Sequence, residues 1–304
     1  MIPIVDTHIH FWNRSVLHYP WFDSEGMAEF PQIFEPADVQ NKNVVATVHV
    51  QAEMDHTHDP VAETAWLETL RQTSSTIKTP TVCVGYADLT GPDLSEILDR
   101  HENFDFFRGV RQEAWFDASS SRKDVLENDL LVDPRCIDGL RTLAKRDLSF
   151  DLLVFGHQLK QAADVFAQVP ELRVVVDHLG MPEVATSLEQ WKADLALFSE
   201  RVPRSFIKVS GFSFIESPIA HPSVNSTVLT AIDQFGPSRT MLGSNFPIDE
   251  KTCTYDELWT MLDGITDRFN EGERRDIFNG TASRFYRIDA SQFAQRDADE
   301  GLAR

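Results

Sequence analysis

What most constrains the fold of this 304-residue chain is an alternation repeated eight times, in which a short apolar run is followed by a segment of helical periodicity. The runs are Ile2–His10, Val44–Val50, Thr81–Tyr86, Phe106–Gln112, Ser149–Phe155, Leu172–His178, Phe206–Ser210 and Thr240–Pro247. Runs that are apolar on both faces belong in a parallel sheet covered by helices. The intervening segments carry helix starts. Asp59-Pro60 and Asp133-Pro134 pair an N-cap with a first-turn proline, Ser187-x-x-Gln190 and Thr254-x-x-Glu257 are capping boxes, and Asp93-x-x-Glu96 is a variant of one. Leu188, Trp191, Leu195, Phe198 and Val202 recur at spacings of three and four, which is one stripe of a helix. An open doubly wound sheet uses the same units, but its first strand-to-helix turn normally holds a glycine-rich phosphate loop, and here that place holds His8-x-His10. The pattern predicts an α/β fold, a single (β/α)8 TIM barrel over residues 1–288. A long aromatic loop from Phe11 to Asp38 follows the first strand, and a polar C-terminal tail occupies residues 289–304.

Barrel geometry decides which polar residues can meet, because active sites in this fold lie at the carboxyl ends of the strands. Side chains alternate along a strand, so His8 and His10 project side by side. The other strand ends hold His49, Arg111 with Gln112, Asp177 with His178, Lys208 with Ser210, and Ser244 with Asn245. Such a set suits hydrolysis: imidazoles or a metal polarise a carbonyl, a carboxylate or histidine takes a proton from water, and a cation holds an anionic group. His178 ends an apolar run where packing does not call for imidazole. Asp177 beside it reads as turned outward to bond a helix, and His49 is balanced between core and pocket. Arg111 reads as an anion anchor, Gln112 and Trp21 as further substrate-binding groups, and Lys208 as buried and paired. His56-x-His58 lies in a polar loop before a helix cap and reads as unrelated.

Lys+Arg 28 against Asp+Glu 48 gives a net charge of −20, which repels phosphate backbones and anionic bilayers, so the expected partner is a small molecule and neither nucleic acid nor membrane. A homo-oligomer stays open. Cys83, Cys136 and Cys253 are far apart and show no C-x-x-C pattern, which fits a reducing, cytoplasmic setting without structural zinc or a disulfide framework.

Five landmarks in order carry a resemblance: Val5-Asp6-Thr7-His8-Ile9-His10-Phe11-Trp12 with Tyr19-Pro20-Trp21, Gly109-Val110-Arg111, Val176-Asp177-His178-Leu179-Gly180-x-Pro182, Lys208-Val209-Ser210-Gly211, and Gly243-Ser244-x-x-Pro247. They resemble the amidohydrolase-related branch of the amidohydrolase superfamily, in particular its lactonase-like group with fuconolactonase and pyrone-dicarboxylate lactonase. The resemblance implies hydrolysis of a lactone of a sugar acid or dicarboxylate, with His8, His10 and His178 around the scissile carbonyl and an arginine on an anionic or polyhydroxylated substrate. It implies either no required cofactor or one loosely held divalent metal such as zinc on His8, His10 and His178. The fifth strand lacks the histidine that zinc-holding relatives carry there, and His157 lies just beyond it. On the eighth strand the family commonly has an aspartate that activates water, where this chain has Asn245. An amide cannot take that proton, which leaves Asp249 or a histidine as the base. The alternatives are a metabolite-binding barrel with weakened catalysis and a metal-dependent decarboxylase of the same superfamily.

Overall fold

The computed structural model describes residues 2–24, 26–27, 29–73, 79–118, 128–182, 187–215, 219 and 221–289. β1 (Ile4–Ile9) is followed by a short antiparallel pair, β2 (Trp12–Asn13) and β3 (Ile33–Phe34). Then come β4 (Val44–Val50), β5 (Val82–Gly85), β6 (Phe107–Val110), β7 (Ser149–Leu152), β8 (Arg173–Val176), β9 (Ser205–Val209) and β10 (Thr240–Leu242). β1 and β4 to β10 make one eight-stranded parallel sheet in chain order. Its two edges meet where Ile9 bridges Phe246 and the amide of His10 donates to the Phe246 carbonyl at 2.8 Å, so the sheet curls into the expected (β/α)8 barrel.

Seven helices alternate with the barrel strands: α1 (Ala62–Thr73), α2 (Leu94–His101), α3 (Pro134–Lys145), α4 (Leu159–Phe166), α5 (Leu188–Arg201), α6 (Pro222–Phe235) and α7 (Tyr255–Ile265). α8 (Glu271–Arg275) and α9 (Thr281–Tyr286) complete the described chain. The starts follow the sequence signals. Asp133 accepts from the Arg135 amide, Ser187 from the Gln190 amide, and Thr254 and Glu257 close a reciprocal box. Asp93 stands at the N-cap of α2 without a side-chain bond, so that variant box does not form. On α5, Trp191, Leu195 and Phe198 are buried, as is Val202 at its C-cap, but Leu188 in the first turn is exposed. Each large apolar side chain buried in this way is worth roughly 1.5–3 kcal/mol.

The loop after β1 wraps its own aromatic cluster. Trp12 lies within 6.2 Å, centroid to centroid, of Trp21, Phe22, Phe30 and Phe34. Hydrogen bonds that fasten the loop to the barrel include Trp21 Nε1–H to the Ala52 carbonyl at 2.8 Å, the Asp55 amide to the His18 carbonyl at 2.9 Å, and Tyr19 O–H to Glu63 at 3.1 Å. Of the expected polar tail, residues 290–304 lie outside the described residues. Among the described residues no helix is long and apolar enough to cross a membrane.

Several strand ends are shorter than the apolar runs suggest. Arg111, His178, Ser244 and Asn245 sit just past the last paired residue of β6, β8 and β10. The Arg111 and Asn245 amides still donate to the Gly85 carbonyl at 2.9 Å and the His8 carbonyl at 2.6 Å, so these residues are fixed at the ends of the strands.

Candidate active site

His8 is the centre of the site. Its ring lies 5.0 Å from that of His10 and 4.5 Å from that of His178, so the carboxyl ends of β1 and β8 deliver three imidazoles to one place. All three are buried. His10 Nδ1 lies 2.7 Å from the Val50 carbonyl, which can only accept, so Nδ1 carries the hydrogen and Nε2 is left with a lone pair. His178 Nδ1 lies 2.9 Å from Ser210 Oγ, and His8 Nε2 is buried with no hydrogen-bond partner. Burial holds His8 well below the ordinary imidazole value, with the charge of Lys208 adding to it. It does the same to His10 with the help of Arg111, and it brings His178 down to about 3 against the pull of Asp177. All three shifts favour the uncharged ring.

Below His8 lies a charged floor. Lys208 on β9 donates to Asp151 on β7 and stands 3.1 Å from Asp177 Oδ1 and 3.3 Å from His8 Nδ1. Tyr286 O–H donates to Asp151 at 3.0 Å. Burial raises Asp151 to about 6 despite the lysine. Burial also works against ionisation of Asp177, but the Lys208 ammonium outweighs it and holds that carboxyl well below the usual range. Asp177 thus does not turn outward to a helix, as the sequence suggested, because the buried lysine on β9 is paired with carboxylates from β7 and from the end of β8.

The backbone around the trio is held in unusual conformations. His178, Leu179, Met181 and Asn245 all have left-handed φ, between 47° and 58°. For residues with a Cβ each costs about 1 kcal/mol or more, which the surrounding packing must offset. Gly211 (φ 72°) permits the turn after β9 to close on His178, since a Cβ there would lie 2.5 Å from the ring.

The remaining sequence candidates divide. Arg111 is buried, donates to the Gln51 carbonyl at 2.5 Å, lies 3.9 Å from Glu53, and has an Nε without a hydrogen-bond partner. Its charge reaches His10 and His178. Asp249 is fully buried and accepts from the Phe212 amide at 2.6 Å, the Ser213 amide at 3.1 Å and Asn245 Nδ2 at 2.9 Å. Burial raises it to about 6. Gln112 is turned away, bonded to the Leu89 amide and Asp88. His49 accepts from the Phe11 amide and faces Glu63 at 3.4 Å, wedging β1 against α1. Trp21 is stacked on Phe22 at 3.7 Å. His56 stacks on Tyr86, His58 pairs with Asp55, and His157 reaches the Phe116 carbonyl, so none of these joins the trio.

Among the described residues no group of three or more His, Cys, Asp or Glu is arranged to hold a metal ion. Within the trio, Lys208 faces only His8 Nδ1, while the Nε2 atoms of His8 and His10 stay clear of it.

A (β/α)8 barrel with a strand-end cluster of imidazoles, an arginine and carboxylates at the carboxyl mouth is the architecture of a barrel hydrolase. Comparison makes the class specific: the amidohydrolase family matches residues 5–288, and the chain belongs to it, within its lactonase-like group. It is 30% identical over 300 residues to the uncharacterised protein y4mH of Sinorhizobium fredii, covering 94% of this chain and 99% of that one. It is 27% identical to an L-fucono-1,5-lactonase of Burkholderia multivorans, covering 93% of this chain and 96% of the relative. A crystal structure of a Burkholderia multivorans amidohydrolase with bound zinc superposes with a TM-score of 0.78 at 26% identity, over 94% of this chain and all of the other.

Sequence reasoning missed the floor as a unit. The signal was present: Asp151, Asp177 and Lys208 are charges in or at the end of otherwise apolar runs on three consecutive strands. Charges buried in such places must compensate one another.

Proposed function

We propose that this protein hydrolyses a lactone of a sugar acid or of a dicarboxylate, using strand-end imidazoles and no required metal. The observation that carries the reading is the cluster of three buried histidines centred on His8, beside a buried arginine. Neutral imidazoles can give a hydrogen bond to a carbonyl oxygen and accept a proton from water. Water adds to the lactone carbonyl carbon, the acyl–oxygen bond of the ring breaks, and the ring oxygen leaves with a proton as the hydroxyl of a hydroxy acid. The named lactonase among the relatives supports this substrate class. Asp249, which accepts from two amides and from Asn245, serves in this reading to tie the loop after β9 to the end of β10.

A pH-indicator assay on fuconolactone, rhamnonolactone and dicarboxylate lactones, with and without a chelator, tests the proposal. Acid release that survives chelation supports it. Saturable binding without turnover would favour a metabolite-binding barrel, and release of carbon dioxide from an aromatic carboxylate would favour a decarboxylase.

Arg111 supplies local positive charge in a chain whose net charge of −20 repels anions. Arg111→Met is expected to raise KM roughly 10- to 100-fold, the scale of a lost hydrogen bond to a charged group, with the fold kept. An unchanged KM on a substrate that is turned over would remove Arg111 from this role.

A further inference from the structure

We propose that Lys208 is a positioning residue that fixes His8 as its Nε2–H tautomer, making His8 the donor to the lactone carbonyl oxygen and leaving His10 as the base. The inference deepens the hydrolase reading and rests on it for the substrate.

Two contacts carry it. An ammonium group has three donors and no acceptor. The Lys208 ammonium lies 3.3 Å from His8 Nδ1 in hydrogen-bonding geometry, so that nitrogen must offer a lone pair. A hydrogen on Nδ1 would point at the hydrogens of a cation. The ring's one hydrogen then sits on Nε2, the buried nitrogen that has no partner within the protein. The competing arrangement has Nδ1–H donating to Asp177 Oδ1, 3.4 Å away. That contact lacks hydrogen-bonding geometry, since neither Asp177 oxygen has a hydrogen-bond partner. Asp177 Oδ1 is instead 3.1 Å from the ammonium, where it acts with Asp151 to hold the lysine in place.

His10 is fixed the opposite way. Its Nδ1–H is spent on the Val50 carbonyl at 2.7 Å, so its Nε2 can only accept. Two adjacent histidines, 5.0 Å apart, thus present one donor and one acceptor. In the reaction the water oxygen bonds to the carbonyl carbon while its proton passes to His10 Nε2. The carbonyl π pair moves onto oxygen, where His8 Nε2–H meets it. Collapse of the tetrahedral species breaks the acyl–oxygen bond of the ring, and the ring oxygen takes the proton back from His10. Atoms and charge balance without any further reagent.

The test is nitrogen NMR of the protein labelled with ¹⁵N-histidine, with His8 and His10 assigned by single substitutions. The expected result is opposite tautomers in the wild type: His8 protonated on Nε2 and His10 on Nδ1. His8 protonated on Nδ1 would overturn the proposal whether or not any lactone is turned over. In Lys208→Met, His8 should move to the Nδ1–H form and donate to Asp177. If that variant folds, kcat should fall roughly 10²- to 10³-fold, as on loss of one donor to a developing oxyanion, with KM little changed. A folded Lys208→Met whose His8 stays Nε2–H would also overturn it. Opposite tautomers in a wild type that opens no lactone would uphold the role of Lys208 and refute the hydrolase reading instead.

Discussion

His10→Ala is expected to lower kcat for lactone opening by roughly 10²- to 10⁴-fold, the range typical of losing a general base, with circular dichroism unchanged. The expectation follows from the one hydrogen bond that fixes this ring. With Nδ1 bound to Val50, the Nε2 lone pair is the part of His10 left for water, and no rotation of a truncated side chain can replace it. Steady-state kinetics on the best lactone measures the effect. KM should change less than kcat, because the base touches water rather than the substrate's anchoring groups. A loss below about tenfold would mean that another group takes the proton, and Asp249 would be the first to examine.

Lys208→Met should cost about 3–5 kcal/mol of unfolding free energy, the penalty for removing one partner from a buried charge cluster. Asp151 and Asp177 are fully buried, and Lys208 is the cation bonded to the first and paired with the second. Without it, one carboxylate must be buried unpaired or take up a proton, and protonation limits the cost. Urea titration reads the change directly. Adding Asp151→Asn should restore part of the loss, since the two sites are in contact and their effects do not add. A single variant within about 1 kcal/mol of wild type would show that the floor does not depend on its cation.

Much of the fold was legible because the physics is local. Unbroken runs such as Val174-Val175-Val176 allow only a doubly covered strand, and Ser187 and Thr254 cap their helices through bonds spanning three residues. His8, His10 and His178 were legible as a site because a barrel gathers strand ends whatever their separation in sequence. What was not legible depends on facing. Asp177 and His178 are adjacent, and a left-handed turn beginning at His178 decides that both serve the interior; nothing in the composition announces such a turn. Gln112 follows Arg111 but turns to Asp88, a choice made by the loop after β5. Asn245 is explained in part by its φ of 58°, a conformation asparagine tolerates, and by its donation to Asp249.

The most direct test of proton transfer to a neutral imidazole is the pH dependence of kcat/KM on a lactone the protein opens. A base works only unprotonated, so the rate falls as pH drops through its pKa in the free enzyme. Burial and Arg111 hold His10 well below 6.5, so kcat/KM should stay level through 6.5 and decline only well below it, and His10→Ala should abolish that profile. A limb at about 6 that disappears in Asp249→Asn would contradict the imidazole base and assign the proton to Asp249, the carboxylate that burial raises to that value.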